Sequence, residues 1–267
     1  MLTTKIIKKE MYPYLKFGNN KNNTKVKLHH VVKAILYRLK TGCQWRELPM
    51  KEFFRVSYNW QSVYHHFRKW SQDGSWEKMW RALLDKYRYL LDMSCIQIDG
   101  THTPAKRGGE SVKYQGRKKS KTSNMLIIVD NQGCPIACSE PLSGNHHDSF
   151  NLGENFEKML LQFEVSKIAT EGLFLNADSG FDSADFRVFC HQHEIFDNID
   201  TNKRNGYDEN HSWSFFDELL YKQRFVIERT NAWIDAFKTL LVRFETKNIH
   251  WKSLNIIAFI AILLRKL

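Results

Sequence analysis

Two aspartates in this 267-residue chain stand where carboxylates can do chemistry. Asp99 closes the alternating run Cys95-Ile96-Gln97-Ile98, and Asp178 closes Leu173-Phe174-Leu175-Asn176-Ala177. Each run reads as an apolar strand, and a glycine (Gly100, Gly180) follows closely. Carboxylates at the C-terminal ends of strands point into the crevice where α/β proteins bind ligands. A third carboxylate, Glu228, lies in a long helical stretch. Two strand-end aspartates and a helical glutamate suit one or two Mg²⁺ ions, because hard cations take carboxylate oxygens and leave other positions to water or phosphate. A pair of such ions stabilises both the attacking and the leaving oxygen of an in-line phosphoryl displacement. Taken singly, each carboxylate is also what a turn, a cap or a surface would carry.

The neighbours of Glu228 add to the pattern. Tyr221, Arg224 and Glu228 fall at i, i+3 and i+7, on one helix face. Arg224 is placed to contact a phosphate or to orient the glutamate, and Tyr221 to stack on a base or hydrogen-bond the backbone. A structural Arg224–Glu228 ion pair at i,i+4 is the alternative. The stretch from Lys106 to Lys121 carries seven Lys/Arg (Lys106, Arg107, Lys113, Arg117, Lys118, Lys119 and Lys121) against one Glu. Following Asp99 directly, it is expected to line the catalytic mouth and hold phosphates, or else to be a solvated loop. His146-His147-Asp148 offers metal ligands, or imidazole donors near a phosphate. Cys134-x3-Cys138 and Cys190-His191-x-His193 offer a structural zinc site as a rival use of metal.

These residues need elements to position them. Residues 1–27, rich in Asn and Lys around Gly18, read as a loose basic arm. Leu28 to Lys40 carries Leu28, Val31, Val32, Ile35, Leu36 and Leu39, the stripe of an amphipathic helix, with Gly42 as its left-handed cap. A second helix runs from about Ser57 to Trp70. It has Trp60, Val63, Tyr64, Phe67 and Trp70 inward, and Asn59, Gln61, Ser62, His65, Arg68 and Lys69 outward. A third runs from Trp76 to Leu91. Three short helices, a turn between the first pair and a polar-basic face on the second predict a helix-turn-helix-like DNA reader over 28–92.

The period then changes. Strands are expected at 95–99, at 125–129 and 135–140 as a hairpin over Asn131-Gln132-Gly133, at 173–178 and at 195–199. Helices are expected at 151–163, at 183–193 capped by Ser183, over 217–244 as one long helix, and at 252–264. Residues 201–214 read as a polar loop. The order describes an α/β domain with a mixed sheet over 93–267.

Charge agrees with that division. Residues 1–92 hold 19 Lys/Arg against 7 Asp/Glu, and 93–267 hold 21 against 22. The formal excess of +11 therefore sits in the first third, as in a basic nucleic-acid module joined to a neutral body. Five scattered cysteines imply no disulfide framework and a reducing compartment. Met1-Leu2-Thr3-Thr4-Lys5 lacks the apolar stretch of a signal peptide. The run Ile256–Leu264 is too short for a membrane span. A membrane-surface role is disfavoured, since the basic face is not paired with an exposed apolar helix.

Several ordered blocks resemble bacterial insertion-sequence transposases with an Asp-Asp-Glu (DDE) triad, of the insertion sequence five group. Thr41-Gly42-Cys43-Gln44-Trp45-Arg46-Glu47-Leu48-Pro49, Trp60-Gln61-Ser62-Val63-Tyr64, Phe67-Arg68-Lys69-Trp70 and Asp73-Gly74-Ser75-Trp76-Glu77 look like the N-terminal DNA-binding segment. Ile98-Asp99-Gly100-Thr101, Ala177-Asp178-Ser179-Gly180-Phe181-Asp182 and Val226-Ile227-Glu228-Arg229-Thr230-Asn231-Ala232-Trp233, with Leu240-Leu241-Val242-Arg243-Phe244-Glu245 after it, look like the three catalytic blocks. Leu142-Ser143-Gly144-Asn145-His146-His147-Asp148-Ser149 resembles the family's Ser-Gly-Ala-Asn-x-His-Asp-Ser stretch with one residue missing. Tyr221, Arg224 and Glu228 fit the family's Tyr-x2-Arg-x3-Glu-x6-Lys pattern, but its Lys position is Asp235, and Lys238 is the nearest lysine.

The resemblance implies a ribonuclease H-like fold and a DNA transposase that binds terminal inverted repeats, cuts, and joins the freed 3′-OH to target DNA. It implies Asp99, Asp178 and Glu228 as ligands of two Mg²⁺ or Mn²⁺ ions, with His147 and Asp148 close to them. It further implies double-stranded DNA as partner, a dimer or larger assembly on paired ends, and a bacterial cytoplasmic, nucleoid-associated setting. A ribonuclease H-like nuclease that cuts without joining, and a DNA-binding regulator with an inactive catalytic domain, are the alternative readings.

Overall fold

The computed structural model describes residues 2–17, 26–202 and 216–266. Gly18 and most of the polar stretch 201–214 lie outside the described residues. The chain forms two compact units, one of residues 1–83, 104–110 and 233–267, the other of 84–103 and 111–232. The division differs from the expected boundary at 92/93 because the C-terminal segment closes the helical unit instead of the sheet.

The helical unit is built on α1 (Leu28–Thr41), α2 (Trp60–Gln72) and α3 (Ser75–Lys86). Gly42 ends α1 in the left-handed region, φ 72°, with its N–H on the Arg38 carbonyl. Val63, Phe67 and Trp70 of α2 and Trp76, Met79, Trp80 and Leu83 of α3 are almost wholly buried. The C-terminal helix Asn248–Leu263 is buried at every residue from His250 to Leu263, on all its faces, while Ile249 stays exposed. Such a helix needs partners all round, and it finds them here: Phe259 meets Trp80 at 5.1 Å between ring centres, and His250 meets Phe67 at 5.8 Å.

Three expectations change in this unit. Residues 2–17 are packed, not loose: Ile7, Met11 and Leu15 recur every fourth residue and are buried, and Lys16 O accepts from Trp70 Nε1 at 3.0 Å. The connection from α1 to α2 holds two further helical turns, Trp45–Glu47 and Met50–Phe53. It therefore exceeds the three or four residues of a helix-turn-helix turn. Lys106 and Arg107 belong to a strap held by main-chain bonds from Lys106 N to Arg243 O (3.1 Å) and from Glu110 N to Thr246 O (2.9 Å). The expected basic stretch is thus divided between the two units.

The second unit is a five-stranded mixed sheet. Its strands are β1 (Ile96–Gly100), β4 (Leu126–Val129), β5 (Pro135–Cys138), β7 (Phe174–Ala177) and β8 (Phe196–Ile199), in the order β5-β4-β1-β7-β8. The first three are antiparallel neighbours; β7 and β8 run parallel to β1. Between β1 and β4 the chain adds a hairpin of β2 (Lys113–Gln115) and β3 (Ser120–Asn124), on which the short β6 (Leu142–Ser143) also pairs. Asp130 closes the β4–β5 turn, its Oδ1 accepting from the N–H groups of Gln132 (3.0 Å) and Cys134 (2.6 Å). Helix α4 (Leu152–Val165) covers the β5 edge, where the Gln162 amide bonds both main-chain groups of Cys138 at 3.2 and 2.7 Å. An edge covered in this way offers no open ladder for aggregation. Helix α5 (Ala184–Gln192) starts at Ser183, whose hydroxyl accepts from Phe186 N as expected.

The predicted long helix over 217–244 is broken. A turn at Glu218–Tyr221 passes through a tight turn at Lys222–Arg224 into α6 (Phe225–Asp235), and a separate turn follows at Lys238–Leu241. The start of this segment is pinned to the sheet. Asn198 Oδ1 accepts from Asp217 N (2.8 Å), and Asn176 Nδ2 donates to Leu220 O (2.8 Å). The two asparagines also bond each other at 2.7 Å.

Candidate active site

Strand register sets the first two carboxylates. β1 pairs Ile96 with Leu175 and Gln97 with Asn176 on β7. Carried two residues further, past the end of β7 at Ala177, that register sets Asp178 opposite Asp99, and the Asp178 carboxylate acts on Asp99. Asp99 is partly buried. Its Oδ1 accepts from Gly100 N at 2.8 Å and its Oδ2 from Asn231 Nδ2 at 3.2 Å. Burial pushes its carboxyl up to about 6; the Gly100 N–H opposes this, Asp148 and Asp178 add to it, and Arg224 opposes it. Asp178 is exposed, with the Ser179 hydroxyl at 3.3 Å.

Glu228 is set by a residue that the sequence pattern did not single out. Asn231, one turn further along α6, donates to Asp99 and accepts from the Thr101 hydroxyl at 3.3 Å. Thr230 Oγ1 donates to Gly133 O at 2.9 Å and fixes the same helix to the β4–β5 turn. Glu228, at i−3 from Asn231, lies on the helix face that meets the end of β1. Its side chain is turned out to solvent and ion-paired to Arg224 at 3.5 Å, the alternative weighed from the sequence. Tyr221 sits beside Arg224, where burial raises its phenol above the ordinary value. A clue to Asn231 was present: it is a polar residue one helical turn from Glu228 within the same block. Asn231→Ala is expected to lower cleavage by about 10–100-fold, the usual cost of losing a group that orients a ligand, with DNA affinity unchanged. A gel-based cleavage assay showing wild-type rates would remove Asn231 from the site.

Asp148 is a further carboxylate close to Asp99. Its Oδ1 accepts from Asn124 Nδ2 at 2.6 Å and lies 3.5 Å from His102 Nε2. Burial alone would raise its carboxyl, but these partners hold it below the usual range, helped by Arg117. A Cβ at Gly100 would overlap this carboxylate, so the glycine next to Asp99 is what lets Asp148 approach. The loop bearing Asp148 is tied to the hairpin through β6 on β3, and Gln115 Nε2 donates to Gly144 O at 3.1 Å. His147 is exposed, while His146 stacks on Phe150.

The other expected residues are distributed as follows. Lys113, Arg117, Lys118, Lys119 and Lys121 are all exposed on the β2–β3 hairpin. In the helical unit, Gln61, His65 and Arg68 form one exposed face of α2, with Lys69 half-buried. The Asn59 side chain is used as the α2 cap, accepting from Gln61 N at 2.8 Å, so that oxygen is occupied within the protein. Lys238 is exposed in the helical unit, on the turn whose Thr239 accepts from Arg38. No zinc site forms at the cysteines: Cys134, Cys138 and Cys190 are buried, and His191 is engaged by Asp197 at 2.9 Å.

Among the described residues no three His, Cys, Asp or Glu side chains converge as a ready metal cluster. The donor set still suits a hard divalent cation in part. Asp99 and Asp178 are level, Asp148 crowds Asp99, and Arg224 is the cation acting on Asp99; Glu228 would have to leave Arg224 to join them.

Comparison with known proteins gives the family and the fold. Residues 96–265 match the family model of the DDE superfamily endonucleases, and residues 9–80 match that of a transposase of the IS4/5 family (DUF4096). No curated protein sequence matches the chain. Among solved structures, the chain is similar to piggyBac transposase in a synaptic complex with hairpin DNA, with TM-score 0.50 and 13% identity over 99% of this chain and 73% of that one. Weaker likenesses are to the Mos1 transposase paired-end complex with left transposon end (TM-score 0.30, 10% identity, 84% of each chain) and to a pre-cleavage Mos1 transpososome (TM-score 0.31, 12% identity, 99% of this chain and 88% of that one).

The catalytic unit has a ribonuclease H-like fold. The chain belongs to the DDE superfamily endonucleases. It is an insertion-sequence DNA transposase, a DNA-cleaving enzyme. No helix among the described residues is long and apolar enough to cross a membrane.

Proposed function

We propose that Asp99, Asp178 and Glu228 hold two Mg²⁺ or Mn²⁺ ions and carry out hydrolysis at the ends of the element, followed by strand transfer. The observation that supports this reading is the register that sets Asp99 at the end of β1 against Asp178 just past the end of β7, with the Glu228 helix tied to Asp99 through Asn231. When bound, the ions would polarise the phosphoryl oxygens and favour deprotonation of the attacking water or 3′-OH.

The chain's own groups do the rest. Asn231 and the Gly100 N–H fix the Asp99 carboxylate, so its orientation costs no reorganisation when DNA arrives. Arg224 changes partner from Glu228 to a DNA phosphate as Glu228 turns inward. Asp148, held by Asn124 and His102, keeps the mouth of the site rigid. Lys113, Arg117, Lys118, Lys119 and Lys121 on the hairpin, with Lys106 and Arg107, hold backbone phosphates. Gln61, His65, Arg68 and Lys69 on α2 read the terminal inverted repeats, and Tyr221 contacts the DNA next to Arg224. The active form is a dimer or larger assembly on paired ends, in the nucleoid.

The test is a strand-transfer assay on pre-cut duplex ends carrying the terminal repeats, in Mg²⁺ and in Mn²⁺. Joined product is expected in either ion and in neither after chelation. Cutting of intact ends without joining would mean a nuclease of the same fold. Binding without either reaction would mean a regulator.

A further inference from the structure

The helical unit contains a cleft of about 300 Å³ lined by Val26, Lys27, His30, Phe54, Arg55 and Val56. Its floor is apolar: Val26 and Phe54 are buried, and the His30 ring lies 6.1 Å from that of Phe54. Its rim is cationic. Lys27 and Arg55 are exposed, and neither has an ion pair among the described residues. The charged groups acting on His30 are Lys33, Lys27 and Arg55, all cations, and after burial they push its imidazole below the ordinary value.

Lys27 is also the residue that precedes the first turn of the 14-residue helix α1; its own side chain does not cap that turn, where His29 N–H donates to the Tyr12 hydroxyl (3.0 Å) and His30 N–H to Lys27 O (3.0 Å). The positive end of the helix dipole adds to the rim. Two exposed cations, Lys27 and Arg55, border this concave space, and among the described residues no carboxylate lines it; an anion bound between them relieves their mutual repulsion. Arg55 lies four residues before Asn59, the cap of α2, so the cleft is placed at the chain entry to the exposed Gln61–His65–Arg68 face.

We propose that this cleft is a binding site for one phosphate of the DNA backbone, which sets the register of α2 on the terminal repeat. The proposal rests on the reading that the helical unit holds DNA. Lys27 and Arg55 pair with the phosphate oxygens, and His30 closes the site from the apolar side. Such a contact carries no sequence information and fixes position only.

The experiment measures the affinity of the full-length protein for a duplex terminal repeat as a function of salt, for wild type, Lys27→Gln, Arg55→Gln and the double variant. Lys158→Gln, an equal charge loss on the solvent face of another helix, is the control, and Arg55→Lys is the conservative variant. Both cleft residues are exposed, so the variants should fold as wild type by circular dichroism. Loss of one neutralised phosphate should lower the slope of log K against log salt by about one and weaken binding about tenfold near 0.1 M salt, with Arg55→Lys recovering most of it. An unchanged slope and affinity in the double variant would overturn the proposal, as would an equal loss in Lys158→Gln. Inorganic phosphate supplies the second arm. If it shifts the His30 ring resonances while duplex DNA does not, the cleft is a site for a free anion and the DNA assignment fails. A wild type that binds DNA but never cuts would sink the catalytic reading and leave this one standing.

Discussion

Replacing Asp99, Asp178 or Glu228 with alanine is expected to abolish cleavage and joining of terminal-repeat DNA while leaving DNA binding intact. Charge stabilisation by bound metal is worth several kcal/mol in such reactions, so losing a ligand should cost about 10³-fold or more. Asp178 and Glu228 are exposed, and their removal leaves the core untouched. Asp99 is different: it accepts from Gly100 N and Asn231 Nδ2, so Asp99→Asn, which keeps the shape, belongs beside Asp99→Ala. The measurement is single-turnover cleavage in Mg²⁺, with the bound fraction followed in parallel by gel shift. The discriminating residue is Glu228, which the structure holds outward against Arg224. If Glu228→Ala cuts as wild type does while both aspartate variants are dead, the third ligand is another group, with Asp148 the first to test.

The second large effect is expected from Gly100→Ala. A methyl at this position would overlap the Asp148 carboxylate, which Asn124 and His102 hold in place. Overpacking of this kind costs about 1–3 kcal/mol, a loss of several degrees in Tm for a unit of this size. A displacement of about 1 Å at a reacting centre is enough to lower the rate about 10²-fold. Both quantities are read on the same preparation, by thermal melting and by cleavage. Removing the obstruction supplies the check: Gly100→Ala combined with Asp148→Ala should regain the melting temperature. Gly100→Ala with wild-type melting and wild-type cleavage would mean that Asp148 moves aside freely and has no part in the site.

Much of the fold was legible because its signals are local. The alternating run ending at Asp99, the Gly-containing β4–β5 turn and the Ser183 cap each depend on a few neighbouring residues, and each forms where its pattern stands. The stretch 217–244 was misread for the converse reason. It contains no Gly or Pro to punctuate it. Its breaks are imposed from outside, where Asn198 and Asn176 on neighbouring strands bond Asp217 and Leu220 and fix the segment's start. The basic stretch Lys106–Lys121 was likewise read as one feature, since nothing in its composition marks the point where a strap in one unit gives way to a hairpin in the other.

What the sequence alone determined is the inventory: a basic helical part, a mixed-sheet body, two strand-end aspartates and a helical glutamate in the blocks of a known family. Periodicity, charge and short-range spacing suffice for these. The tertiary structure decided which residues meet. Register across β1 and β7 brought Asp99 level with Asp178, although 79 positions separate them in the chain. Long-range hydrogen bonds chose Asn231 as the link from α6 to β1, and close packing at Gly100 brought Asp148 next to Asp99. The C-terminal helix joined the helical unit because burial on every face from His250 onward needs a partner on every face, and no local pattern records where those partners lie.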